Sequence, residues 1–318
     1  MEQHEPTRDR LDPARERRSQ PRTITPLSVD AVHLEGALRF PLKQETLRTT
    51  VRSALDEDGA FNDLTTIATV VSDRRARATL VARDRGVIAG VALALESFRI
   101  LDPKVSIRVD VEDGVAVEAG SPVLVLSGHA RALLSAERVA LNFMQRLSGI
   151  ATLTSRYVDA VRGTRAQILD TRKTTPGWRQ LEKYAVRAGG GKNHRMDLSS
   201  SVLIKDNHLN AVEGDVALAV RRARDLAPAG TQVEVECDRL EQVVAAVEAG
   251  ADIIMLDNMP PAVMAECVRA VDRRAILEAS GGVNLGTVRA IAETGVDWIS
   301  VGALTHSAPA MDLALDFD

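Results

Sequence analysis

The densest chemistry-bearing run in the chain is Asp170-Thr-Arg-Lys-Thr-Thr-Pro-Gly177. Arg172 and Lys173 follow a short apolar stretch that reads as a strand. Two adjacent cations at a strand end are most simply explained by a bound anion; the plainer alternative is a solvated surface loop. Asn193-His194-Arg195 comes next, behind the glycines at 189–191, whose backbone can approach a ligand closely. Lys205 directly ends the apolar run Val202-Leu-Ile, an unusual place for a merely solvating lysine. Arg138 lies in a helical stretch ahead of these motifs. Arg138, Arg172, Lys173, His194, Arg195 and Lys205 form a cationic or potentially cationic set in a chain of net charge −4. Uncompensated, such a set repels itself, so it predicts a multiply anionic ligand.

Glu236 and Asp257 each read as ending a strand. Carboxylates among so many cations suit Mg²⁺, ribose hydroxyls or both; the alternative is charge balance. Ser280-Gly281-Gly282 follows one later strand, and Val301-Gly302-Ala303 follows the next. In (β/α) barrels the loops after the last two strands commonly hold a phosphate on backbone N–H groups. The Ser280 hydroxyl adds a further donor. No Cys/His zinc pattern, Ser/His/Asp arrangement or P-loop stands out. Cys237 and Cys267 are the only cysteines, outside any CxxC pattern, and are expected to be reduced thiols of a cytoplasmic protein.

The elements that must position these residues follow from the apolar rhythm. Short apolar runs at 167–170, 202–205, 233–236, 253–257, 275–278 and 298–302 each end in a polar or glycine-rich tip. Helical segments such as 240–248 and 261–270 lie between them. Strand, tip and helix in repetition predict parallel β/α units, about six or seven, closing into an incomplete barrel. Active sites of such barrels gather at the C-terminal strand ends, where all these tips lie.

Ahead of the barrel, 131–161 is helical, with Leu134, Val139, Phe143, Leu147 and Ile150 near one face and Ser148-Gly149 expected as a break. The stretch from about 35 to 130 reads as a small α+β unit. Leu47, Val51 and Leu55 predict a helix over 43–56, and strands are expected at 76–82, 105–111, 115–117 and 123–126. That ribbon has no turn lysine to carry a cofactor. Residues 1–30, with Arg15, Arg17 and Arg18 set among Asp12 and Glu16, read as a solvated, disordered tail. The net charge of −4 argues against a general nucleic-acid binder, and no apolar run approaches the roughly 20 residues of a membrane span. No signal peptide is visible.

The motifs resemble the quinolinate phosphoribosyltransferase family. The resemblance rests on Glu137-Arg138 with Leu141-Asn142, Ser148-Gly-Ile-Ala-Thr152, Asp170-Thr-Arg-Lys-Thr-Thr-Pro-Gly177, Glu182-Lys-Tyr-Ala-Val186, Asn193-His-Arg195, Leu203-Ile-Lys-Asp-Asn-His208, Leu256-Asp-Asn258, Ser280-Gly-Gly282 and Val301-Gly-Ala-Leu-Thr-His306. It implies an α/β fold: an N-terminal α/β sandwich domain (31–135), an incomplete (β/α) barrel (136–306), and a C-terminal strand (307–318) returning to the first domain. The implied activity is decarboxylating transfer of phosphoribosyl from phosphoribosyl pyrophosphate to quinolinate, giving nicotinate mononucleotide for NAD biosynthesis. The implied assembly is a homodimer with shared active sites, Arg138 being donated in trans, or a hexamer built from such dimers.

By the same resemblance, Arg138, Arg172, His194, Arg195 and Lys205 hold the two carboxylates of quinolinate. Lys173 serves the pyrophosphate or phosphoribosyl group. Glu236 and Asp257 contact the ribose and help place Mg²⁺. Ser280, Gly281, Gly282, Gly302 and Ala303 bind the 5′-phosphate, and His306 supports that end. Asp197 and Ser200 depart from the family's usual glycine and aspartate. A transferase using nicotinate would need cations for one carboxylate only. A phosphate sensor would tolerate loss of Lys173, Glu236 or Asp257.

Overall fold

The computed structural model describes residues 38–318. The expected tail at 1–30, and residues 31–37 of the expected first domain, lie outside the described residues. α1 (Gln44–Glu57) forms where the sequence pattern places it, burying Leu47, Val51 and Leu55. α2 (Leu64–Thr69) is capped by the Asp63 carboxylate, which accepts from Thr66 N at 3.0 Å. β1 (Arg75–Ala82), β2 (Gly86–Val87), α3 (Val91–Leu101), β3 (Ser106–Val109), β4 (Ala116–Val117) and β5 (Pro122–His129) follow.

β1, β3 and β5 form an antiparallel sheet that the chain's last strand, β12 (Leu313–Phe317), completes in the order β12-β1-β5-β3. β12 pairs with β1 so that Leu315 lies opposite Leu80. Alternate residues of these strands join Phe98, Leu133, Ala140 and Met144 in one apolar core. That core is the reason the sheet packs on α3 and on α4 (Ala130–Ala160).

α4 runs unbroken for 31 residues, so the expected break at Ser148-Gly149 is absent. The glycine has another cause. A Cβ on Gly149 would overlap the Pro309 carbonyl oxygen, and Met311 N donates to Gln145 O at 3.0 Å nearby. Gly149 therefore admits the segment that returns the chain to the first sheet. Asp113, in the turn before β4, accepts from Val91 N at 3.0 Å and from the Tyr184 hydroxyl at 2.6 Å, tying this turn to the barrel.

The second half alternates strand and helix: β6 (Gln167–Leu169), α5 (Arg179–Ala188), β7 (Val202–Ile204), α6 (Asp206–Asn210), α7 (Val216–Leu226), β8 (Val233–Cys237), α8 (Leu240–Glu248), β9 (Ile253–Asp257), α9 (Pro261–Val271), β10 (Ile276–Ser280), α10 (Val288–Glu293), β11 (Trp298–Ser300) and α11 (Ala303–His306). The six strands are parallel in the order β6-β11-β10-β9-β8-β7. β6 and β7 do not pair, so the barrel is open between them, and Lys192 bridges to Leu169 at that edge.

Side chains alternate across each strand. Val233, Val235, Cys237, Ile254, Leu256, Leu277, Ala279 and Ile299 belong to the apolar core shared with the helices. Their alternates, Glu234, Glu236, Met255, Asp257, Glu278 and Ser280, share the opposite face and point inward. The barrel interior is thus strongly polar. Among the described residues no helix is long and apolar enough to cross a membrane.

Candidate active site

Because the six strands are parallel, their C-terminal ends open on one side. Arg172 and Lys173 follow β6, Lys205 follows β7, Asp257 and Ser280 end β9 and β10, and Gly302 follows β11. Glu236 is the penultimate residue of β8 rather than its end. Register carries one inward layer from Glu236 through Met255 to Glu278, and Asp257 lies opposite Ser280 one step closer to the mouth.

The loop carrying Arg172 and Lys173 is held from beneath. Asp170 is fully buried and accepts from Asn193 Nδ2 at 2.6 Å, from His194 N at 2.9 Å and from the Lys183 ammonium. Lys183, on α5, also donates to His194 O at 3.0 Å. Burial pushes the Asp170 carboxyl up and the Lys183 ammonium down, and their mutual attraction opposes both shifts. Asp170 is therefore an anchor. It fixes the Asn193-His194-Arg195 turn against the β6 tip.

A second brace holds the far side of the same loop. Glu182 accepts from Thr175 N at 3.0 Å, from Thr175 Oγ1 at 2.9 Å and from Arg146 Nη2 at 2.8 Å. Arg146 also donates to Ala308 O at 3.1 Å and to Thr305 O. Thr305 Oγ1 in turn donates to Lys173 O at 2.7 Å. Arg179 donates to Thr174 Oγ1 at 3.0 Å and to Met196 O at 3.2 Å, tying the two cationic loops together.

These braces leave the expected ligand groups in different states. Arg172 Nε is buried without a hydrogen-bond partner. Arg195 Nη1 donates to Ser201 O at 3.0 Å, and burial lowers its pKa, with the neighbouring Arg172 charge adding to the effect. Lys205 pairs with Glu236 at 3.3 Å. The His194 ring is almost fully engaged: Nδ1 accepts from Arg195 N at 2.8 Å, while Nε2 faces Glu234 at 3.2 Å and Glu278 at 3.5 Å. Burial disfavours charge on this ring and the two carboxylates favour it, raising the pKa, but the Arg195 N–H directed at Nδ1 keeps a second proton off that atom, so the ring is neutral with its proton on Nε2. The cationic set is accordingly compensated in part from within the barrel.

Arg138 is the exception. It is exposed on α4, and among the described residues no hydrogen bond or ion pair joins it to the others.

At the opposite rim, Gly281 and Gly282 adopt φ of 89° and 61°, and an added Cβ on Gly281 would overlap the Asn258 side chain. Asn258 donates to Asp257 Oδ2 at 2.8 Å. A Cβ on Gly302 would lie 3.1 Å from Lys173 Cδ and 3.2 Å from His306 Nε2. Lys173 thus passes over the Gly302 turn, which brings the cation pair after β6 and the glycine turn after β11 together. Among the described residues no backbone carbonyl accepts from the N–H of Gly281, Gly282, Gly302 or Ala303. At the two departures, Asp197 accepts from Ser199 N at 2.9 Å and Ser199 Oγ at 2.8 Å, which lowers its pKa and closes an exposed turn locally.

Sequence reasoning gives no role to Glu234, Glu278, Lys183, Arg146 or Arg179. One signal was present: Glu234 stands two residues before Glu236 and so shares its face of β8. The others depend on contacts across 5 to 162 residues of sequence, which no local pattern announces.

Comparison with known proteins covers most of the described chain. Residues 63–148 match the quinolinate phosphoribosyl transferase N-terminal domain, and residues 150–316 match the C-terminal domain. The nicotinate-nucleotide pyrophosphorylase [carboxylating] of Mycobacterium leprae is 47% identical over 280 residues, covering 86% of this chain and 97% of that protein. A probable nicotinate-nucleotide pyrophosphorylase [carboxylating] of Bacillus subtilis is 44% identical over 260 residues, covering 82% and 89%. The structure of the nicotinate-nucleotide pyrophosphorylase from Francisella tularensis superposes with a TM-score of 0.82 at 38% identity, covering 88% of this chain and 98% of that one. With both domains matched in order on one open barrel, this chain belongs to the quinolinate phosphoribosyltransferase family.

Proposed function

We propose that this chain transfers phosphoribosyl from phosphoribosyl pyrophosphate to quinolinate with loss of CO₂, giving nicotinate mononucleotide and pyrophosphate for NAD biosynthesis. The observation that carries this reading is the convergence of Lys173 with the Gly302 turn at the barrel mouth, beside Arg172 and the Asn193-His194-Arg195 turn. A doubly anionic pyridine and a phosphorylated sugar need two such anion sites next to each other.

In this reading Arg172, Arg195 and Lys205 hold the quinolinate carboxylates. Arg172 Nε, buried and unpartnered, is a donor in want of an acceptor, and a guanidinium matches a carboxylate through two parallel hydrogen bonds. His194 contributes from behind the Arg195 turn. Ser280 and the N–H groups of Gly281, Gly282, Gly302 and Ala303 take the 5′-phosphate. Lys173, exposed at the rim, complements the pyrophosphate.

Glu236 and Asp257 fit Mg²⁺ by chemistry: both are hard oxygen donors near the mouth, and Mg²⁺ takes one or two carboxylates together with phosphate and water oxygens. When bound, the ion neutralises the departing pyrophosphate. The same carboxylates accept from the ribose hydroxyls. As the C1–oxygen bond stretches, the pyridine nitrogen attacks C1 from the opposite face. The resulting pyridinium draws the electron pair of the adjacent carboxylate bond, CO₂ leaves, and the ring carbon that held it takes a proton from solvent to give nicotinate mononucleotide. The residues named position the reactants and complement charge.

The reading includes a homodimer in which Arg138 of one subunit completes the other's site, or a hexamer built from such dimers; the support is that Arg138 is exposed and, among the described residues of its own chain, has no hydrogen-bond or ion-pair partner. A cytoplasmic location goes with it, supported by the free, buried thiols of Cys237 and Cys267.

The test is incubation with phosphoribosyl pyrophosphate, Mg²⁺ and carboxyl-labelled quinolinate, with nicotinate in parallel. Equal yields of labelled CO₂ and mononucleotide from quinolinate alone are expected. Product from nicotinate and none from quinolinate would overturn the acceptor. Mixing Arg138→Ala with Lys173→Ala chains should restore activity in hybrid dimers; no recovery after confirmed subunit exchange refutes donation in trans.

A further inference from the structure

Beneath the ligand-facing groups lies a polar cluster that the mechanism above does not use. Glu234 on β8 and Glu278 on β10 are 2% and 0% exposed and reach inward past β9. Both carboxylates converge on one atom, His194 Nε2, at 3.2 and 3.5 Å. Neither oxygen of Glu278 has a hydrogen-bond partner of normal geometry. Two carboxylates in a barrel floor are costly to keep unless they do something there.

The other ring nitrogen shows what that is. His194 Nδ1 accepts the N–H of Arg195, so the direction of the ring sets the backbone of the residue that carries the guanidinium. An Nδ1 that accepts must lack a proton, which leaves the ring proton on Nε2, the atom facing the carboxylates.

We propose that Glu234 and Glu278 are positioning residues, a paired clamp that holds the His194 Nε2–H in the barrel floor and through Nδ1 aims Arg195 at the acceptor's carboxylate. The inference rests on the functional reading above and deepens it. The clamp is electrostatic at Glu278 and closer to a hydrogen bond at Glu234. It explains why a site built for a dianion carries buried negative charge below its cations: the carboxylates face the ring and leave the Arg195 guanidinium, apart from its bond to Ser201 O, to the ligand. The same three groups offer donor atoms within 4.8 Å of one another, a spacing that would also suit a metal ion. The charges of Arg195 and Arg172 next to the cluster disfavour a dication there.

The test uses Glu234→Gln and Glu278→Gln, alone and combined with His194→Asn, in the full chain. Each single Glu→Gln change should raise the KM for quinolinate about 10-fold, the order expected for a hydrogen bond to a charged group, and leave the KM for phosphoribosyl pyrophosphate within about 2-fold. In the His194→Asn background the same changes should add little, because the carboxylates act through the ring. Full additivity, or equal effects on both KM values, overturns the clamp.

A second readout does not need turnover. In protein labelled with ¹⁵N-histidine, the His194 ring signals are identified by their loss in His194→Asn. They should report a protonated Nε2 and a bare Nδ1, and should shift in each Glu→Gln variant. Signals unchanged in both variants, or changed by chelator, refute the proposal. Wild-type protein inert towards quinolinate but with ring signals as expected would sink the substrate reading and leave the clamp standing.

Discussion

Replacing Lys183 by Met keeps the length and volume of the side chain and removes its charge. Lys183 is 1% exposed and Asp170 is fully buried, so solvent screening discounts little of their interaction. Breaking a buried pair by deleting one partner typically costs about 3–5 kcal/mol, because the remaining charge is left uncompensated. Asp170 keeps two donors, Asn193 Nδ2 and His194 N, each a hydrogen bond to a charged acceptor. No cavity is created, so the estimate falls at the lower end, about 3 kcal/mol, or a fall in Tm of roughly 6–12 °C for a domain of this size.

The pH dependence has a definite sign. Burial already raises the Asp170 carboxyl in the native chain, and loss of the ammonium raises it further. A group whose folded pKa lies above its unfolded value contributes stability below the unfolded pKa and loses it as pH rises through the folded value. Lys183→Met should therefore be closest to the native chain at acidic pH and fall behind towards neutrality. Urea unfolding at pH 5 and pH 7.5 measures this, alongside the KM for quinolinate, which should rise because Asp170 and Lys183 both hold the His194 turn. A variant within about 1 kcal/mol of native at pH 7.5 with an unchanged KM would show that the pair anchors nothing.

Three further outcomes are expected. Arg172→Lys should lose most activity although charge is kept, since an ammonium cannot supply two parallel hydrogen bonds; near-normal kcat/KM in steady-state assays would remove the bidentate role. Gly149→Ala should destabilise the fold by about 1–3 kcal/mol despite alanine's better helix propensity, because its Cβ overlaps the Pro309 carbonyl, and a raised Tm would contradict the close approach. Gly302→Ala should raise the KM for phosphoribosyl pyrophosphate more than that for quinolinate, since the new methyl presses on Lys173 and His306 at the phosphate rim; an equal change in both would place the turn elsewhere in function.

Much of the site was legible from local pattern. Arg172, Lys173, Lys205, Asp257 and Ser280 each stand at or just after an apolar run, and in parallel β/α units every such run ends on the same side. The spacing of Leu47, Val51 and Leu55 likewise fixes the buried face of α1. Ser148-Gly149 misled because a glycine read in sequence signals freedom of the chain, whereas here it signals the nearness of a segment 160 residues further on, at Pro309. Glu236 was placed one residue too late for a related reason: apolar Val235 and polar Glu236 mark the alternation of β8 but not its last hydrogen-bonded residue, Cys237.

Local sequence thus determined which residues sit at strand ends, because alternation and punctuation are properties of neighbours along the chain. Tertiary structure alone decided how those residues are held. Lys183 reaches Asp170 from α5, Arg146 reaches Glu182 and Thr305 from α4, and Glu234 and Glu278 meet His194 from separate strands. Each of these contacts joins elements brought together only by burial of the shared apolar core. Their partners are set by packing and by the need to satisfy buried charge, which no spacing in the sequence encodes.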